Sequence, residues 1–161
     1  MTEQSKPQVF SGNAAIPYAA FNLRDPYYRE MARFVIRAAE ARFGKPLQTV
    51  VDLGAGIGIS TMEILAHVDA DCRVIAVEPE EGMRYFCGLN TMGDPRVEVV
   101  EGRGENLSEV ITAFTSVNAV LCSQVFHLFN PPGKESVVPA VLKQIATVLE
   151  TGENSSLTCR S

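Results

Sequence analysis

The chain has 161 residues, 46% of them hydrophobic, which suits one globular domain with a buried core. Nineteen acidic residues against fourteen basic ones give a net charge of −5, and no basic run interrupts it, so a nucleic-acid partner lacks its usual electrostatic footprint. No apolar run approaches the roughly 20 residues that span a bilayer, and Met1–Pro7 has no apolar signal-peptide core. The four cysteines, Cys72, Cys87, Cys122 and Cys159, form no C-x-x-C pair and no metal-ligand spacing with the two histidines, which points to a reducing cytoplasm and to no metal or membrane partner.

Residues 1–24 read as an N-terminal arm, polar at first and then carrying Tyr18 and Phe21 in an irregular context. The domain proper is expected over 25–161. It opens with a helix over 26–43, with Asp25 as N-cap, Pro26 at the first helical position and Gly44 after the end. Met31, Phe34, Val35 and Ala38 recur at helical spacing and are expected to face the sheet.

The most informative stretch follows. Thr49-Val50-Val51-Asp52-Leu53 reads as a buried parallel strand, and Gly54, Gly56 and Gly58 then allow a sharp turn and close approach of a ligand. Ser60 to Ala66 continues as a helix, whose free N-terminal N–H groups favour an anionic ligand group. A tight turn without a ligand is the bland alternative. A dinucleotide fingerprint would place its third glycine at Ile59, so the spacing speaks against NAD. Asp52 at the end of a buried strand is costly unless it meets a donor or a cation. S-adenosylmethionine carries an ammonium and a sulfonium, and so offers what Asp52 needs.

Arg73 to Val77 forms a second apolar strand ending in Glu78, 26 residues after Asp52. A carboxylate there can accept hydrogen bonds from both hydroxyls of a ribose. A helix is expected over about 80–91, then a turn at Gly93-Asp94-Pro95 and a third strand around Val97–Val100, broken by Gly102 and Gly104. Ala119 to Cys122 is a fourth strand, with Ser123 at its end and His127 shortly beyond, where a histidine could act as a base or merely shape the loop. A last helix is expected over about 134–149, with Val138, Val141, Leu142, Ile145 and Leu149 on one face and Gly152 as its stop.

Four segments resemble, in order, the motifs of the class I S-adenosylmethionine-dependent methyltransferases: V-D-L-G-A-G-I-G at 51–58, V-E-P-E-E-G-M at 77–83, V-V-E-G-R-G-E-N-L at 99–107, and S-V-N-A-V-L-C-S-Q-V-F-H-L-F at 116–129. The last is similar to the small-molecule branch that includes the trans-aconitate methyltransferases, with Asn118 for the usual Asp and Leu128 for the usual Trp. The resemblance implies a Rossmann-like doubly wound parallel α/β sheet with S-adenosyl-L-methionine as cofactor. It implies that Asp52, Gly54, Gly56 and Gly58 surround the amino-acid end and that Glu78 holds the ribose. Pro79, Met83, Gly104 and Glu105 would lie at the adenine, Ser123 would join the cofactor residues, and the N-terminal arm would form a lid. Met83 reads equally well as a core residue, and Arg103 as part of an exposed charged loop.

A complete member orders its strands 3-2-1-4-5-7-6. Here a polar stretch at 155–160 could at best supply a poor fifth, so the expected order is 3-2-1-4-5 with the C-terminal strands lacking. An unpaired sheet edge would then favour a homo-oligomer. Two functions follow. One is a methyltransferase acting on a small-molecule acceptor, with His127 as candidate catalytic base; the other is a cofactor-binding pseudoenzyme or interaction module.

Overall fold

In the computed structural model, residues 26–43, 46–112, 116–123, 133 and 135–153 are described. The elements run α1 (Tyr27–Phe43), β1 (Thr49–Leu53), α2 (Ile59–His67), β2 (Arg73–Val77), α3 (Glu81–Asn90), β3 (Val97–Val100), a 3-10 turn (Gly104–Asn106), α4 (Leu107–Val110), β4 (Ala119–Leu121) and α5 (Val138–Glu153). The arm and lid at 1–24, the Asp25 cap, Gly44, His127 and the possible fifth strand at 155–160 lie outside the described residues.

The four strands form one parallel sheet in the order β3-β2-β1-β4. β1 is central, and all five of its residues are buried, as expected of a strand covered on both faces. Alternate side chains divide between two cores. Val50 joins Val74, Ala119 and Leu121 beneath Ala32, Ile36 and Ala39 of α1 and Ile64 of α2. Val51 and Leu53 join Ile75 and Val77 on the other face, against Leu107 of α4 and Val141 and Val148 of α5. Successive connections carry the chain from β1 to β2 to β3, and the next returns it across the sheet to β4 on the far side of β1. The order therefore reverses between β1 and β4, and open α/β sheets bind ligands at the carboxyl ends of the strands beside such a reversal.

Two helix faces differ from expectation. In α1 the buried positions are Ala32, Ile36 and Ala39, whereas Phe34 is 66% exposed and Ala38 is exposed. The small alanines permit close packing on α2 and the sheet, and that contact sets the helix phase instead of the larger Phe34. In α5 the buried face carries Val141 and Val148 with Ile145 and Leu149 beside them, while Leu142 turns outward. That helix begins at Val138 rather than near 134, Ser136 Oγ accepts the Val138 N–H (3.3 Å), and Gly152 lies within its last turn rather than ending it.

Asn118 locks β4 to β1 at their start. Its Oδ1 accepts the N–H groups of Gln48 (2.6 Å) and Thr49 (3.0 Å), and its own N–H donates to Thr49 O (2.9 Å). A carboxylate would accept the same two bonds, which explains how either Asn or Asp serves here. Asn118→Ala leaves two donors without a side-chain acceptor and is expected to cost about 1–3 kcal/mol. Asn118→Asp is expected to fold at least as stably as the parent chain. Urea denaturation of both variants checks the pair.

Candidate functional site

Beyond Leu53 the chain turns at once. Gly54 N and Ala55 N both donate to Val77 O (2.8 and 3.1 Å), so the ends of β1 and β2 are tied together. Gly54, Gly56 and Gly58 all have positive φ, at 77°, 55° and 87°, the region that side chains disfavour. Their surroundings separate the last two. A Cβ at Gly56 would meet nothing within 4 Å, so that glycine faces open space. A Cβ at Gly58 would lie 2.9 Å from Cys87 Sγ, so Gly58 is needed for packing the loop on α3.

Asp52 is buried beneath this loop. Ser60 and Thr61, in the first turn of α2, donate their hydroxyls to its Oδ2 at 2.7 and 2.6 Å. Burial pushes the Asp52 carboxyl above its usual range, against the opposing pull of the Thr61 and Ser60 hydroxyls. Ser60 and Thr61 were legible only as helix residues. The signal that could have found them is a pair of hydroxyls one turn beyond a glycine loop that follows a buried acid.

Glu78 leaves β2 pointing back at the same loop. Its Oε2 accepts the Gly56 N–H (2.9 Å) and its Oε1 the Glu80 N–H (2.9 Å). Burial raises its pKa; the Glu80 and Gly56 N–H groups lower it, the Glu80 charge raises it and Arg84 lowers it. Asp52, the glycine loop and Glu78 thus form one cluster at the carboxyl ends of β1 and β2.

The other predicted residues fall around this cluster with unequal exposure. Ser123, two residues past β4 and across the reversal from the glycine loop, is buried, and its hydroxyl has no hydrogen-bond partner among the described residues. Pro79 is half-buried at the start of the loop from β2 to α3. Met83 is 3% exposed and packs with Ile57 and Ile59, so its side chain is mainly core. Gly104 is buried in the 3-10 turn after β3, with Glu105 half-buried beside it and Arg103 exposed. Burial holds the thiols of Cys87 and Cys122 up at about 12, so neither is a thiolate at neutral pH. Among the described residues no group of three His, Cys, Asp or Glu could hold a metal ion, and no helix is long and apolar enough to cross a membrane. A groove of about 460 Å³ is lined by Met62 and Leu65 of α2 and by residues 90–95, from the end of α3 to the turn before β3.

A protein-family model described as a methyltransferase domain matches residues 50–152. No curated protein matches the chain. Among solved structures, the plantazolicin methyltransferase BamL, in complex with a triazolic desmethylPZN analog and SAH, is 12% identical with a TM-score of 0.65, over 84% of this chain and 46% of that one. A candidate S-adenosyl-L-methionine-dependent methyltransferase of Methanococcus maripaludis is 17% identical with a TM-score of 0.62, over 92% of this chain and 63% of that one. DesVI of Streptomyces venezuelae is 19% identical with a TM-score of 0.63, over 89% of this chain and 56% of that one. The chain spans about half the length of the solved structures it matches. At these identities the likeness shows the fold.

The two buried carboxyls set a pH dependence of stability. Their folded-state pKa values lie above the ordinary 3.8 and 4.5, so the folded chain keeps protons that the unfolded chain releases. Their contribution is full below the ordinary values and is lost as pH rises through the raised ones. Asp52→Asn keeps an oxygen acceptor for Ser60 and Thr61 and removes one titration. Urea midpoints measured from pH 4 to 8 are expected to show the variant gaining on the parent as pH rises. A variant that loses ground to the parent as pH rises contradicts the assignment.

Proposed function

The chain belongs to the methyltransferase-domain family, and from that premise we propose that it binds S-adenosyl-L-methionine at the carboxyl ends of β1, β2 and β4 and transfers its methyl group to a small molecule. The carrying observation is the Glu78 carboxylate, buried and aimed by two backbone N–H groups at the glycine loop. Each carboxylate oxygen has capacity for a second hydrogen bond, so the two oxygens can still accept two ribose hydroxyls. The open side of Gly56 fits a ligand, since a Cβ there has no neighbour to displace. The Ser123 hydroxyl, without a hydrogen-bond partner among the described residues, fits a polar ligand group arriving from the β4 side.

When bound, the cofactor supplies a methyl group already activated on a sulfonium, ready for in-line displacement. The chain's own work is to hold and orient. Asp52, at the end of β1, provides negative charge towards the ammonium of the amino-acid end. Ser60 and Thr61 fix the rotamer of that carboxylate. Glu78 becomes easier to ionise when ribose hydroxyls donate to it, so affinity should rise with pH through its titration. Gly104 and Glu105 are assigned to the adenine edge, and Met83 to supporting the loop from beneath. His127 is assigned as the base for a hydroxyl or amine acceptor.

Calorimetric titration of the full chain with S-adenosylmethionine and with NAD tests the reading; binding of the first and not the second is expected. Glu78→Ala should weaken S-adenosylmethionine at least several-fold, since hydrogen bonds of this kind are worth roughly 1–3 kcal/mol each. Gly56→Val should abolish binding more completely than it lowers stability. His127→Ala should leave affinity intact while turnover falls by roughly 10²–10⁴-fold. Unchanged affinity in a folded Glu78→Ala protein contradicts the site.

A further inference from the structure

Arg84 of α3 lies 18% exposed behind the loop that carries Glu78, and both terminal nitrogens of its guanidinium are engaged. Nη1 donates to the carbonyls of Glu78 (3.1 Å) and Pro79 (2.6 Å). Nη2 donates to Glu101 Oε2 (2.9 Å), on the residue that follows β3. One side chain therefore joins the loops that leave β2 and β3, the two loops assigned above to the nucleoside half of the cofactor.

The local sequence explains why such a tie is needed. Pro79 has no N–H to donate, so the Glu78-Pro79-Glu80 turn cannot close through that residue's backbone. Side chains close it instead: Glu78 Oε1 takes the Glu80 N–H from within, and Arg84 takes the two outward carbonyls. Fixing the Glu78 carbonyl fixes the peptide plane after its Cα, and with it the direction from which the carboxylate reaches Gly56. The Glu101 pair adds little to this, since Glu101 is 73% exposed and its charge is screened by water. The two carbonyl bonds carry the effect. Both come from the one nitrogen Nη1, which stands one bond farther from Cα than a lysine Nζ, so a lysine ammonium reaches the pair less well.

We propose that Arg84 is a positioning residue for cofactor recognition, acting through Glu78 by holding its turn in the geometry that aims the carboxylate at a ribose. The inference rests on the cofactor reading above. It assigns to Arg84 no contact with the cofactor itself.

The test is calorimetric titration of S-adenosylhomocysteine into the full-length parent, Arg84→Ala, Arg84→Lys, Glu78→Gln and the Arg84→Ala/Glu78→Gln pair, with circular dichroism to establish folding. Arg84→Ala is expected to weaken binding about tenfold, with Arg84→Lys between it and the parent. In the Glu78→Gln background the same Arg84→Ala change is expected to cost less than about threefold, because the group it positions is already impaired. Should Arg84→Ala fail to fold, Arg84→Lys carries the same comparison in both backgrounds. Equal losses in the two backgrounds, or affinity unchanged in a folded Arg84 variant, overturn the inference. A parent chain that does not bind overturns the cofactor reading, and this inference with it, and is told apart by that first titration.

Discussion

The hydrogen bond from the Gly56 amide to the Glu78 carboxylate is the constraint around which the site is organised. It spans the loops that leave β1 and β2, and it does so at a glycine whose open side has no neighbour. Three positive-φ glycines make that loop easy to bend but give it no side chains with which to hold itself. Rigidity has to come from outside. It comes from Val77 O, which takes two loop amides, from Cys87 against Gly58, and from Glu78 at Gly56. The parallel sheet puts all three suppliers in reach, because β2 pairs with β1 in a register that sets Val77 opposite Leu53.

Two carboxyls are buried here, and among the described residues neither forms a salt bridge, although the Arg84 charge favours ionisation of Glu78. Desolvation is the largest influence on both. Hydroxyls at Asp52 and backbone amides at Glu78 compensate in part, and what remains is a site biased towards ligands that donate hydrogen bonds or carry positive charge. Such residues weaken the fold at neutral pH, and the proposed function gives a reason to retain them, as acceptors preorganised for a cofactor.

The sheet was legible because its signal is local. Runs rich in β-branched residues at 49–53 and 73–77 suit buried parallel strands, and all four strands fall where the sequence puts them. The helix faces were harder. Periodicity marks a stripe, but packing closeness picks its centre, so Phe34 and Leu142 lost to smaller neighbours. Asp52 and Glu78 stood out as acids at strand ends. Their supports did not, because Ser60, Thr61 and Arg84 are ordinary helix residues until the fold brings them beside those strands. Gly58 was legible as a glycine that matters, but only the structure shows that what it makes room for is a cysteine.

The central claim is that the ligand lies at the carboxyl ends of the strands, between the glycine loop and Glu78. Titrating S-adenosylhomocysteine into the uniformly ¹⁵N-labelled chain tests it most directly. The account predicts amide shift changes concentrated at Gly54, Gly56, Gly58, Glu78, Glu80 and Gly104. Changes confined to Met62, Leu65 and the 90–94 amides, which line the groove between α2 and the end of α3, would contradict it.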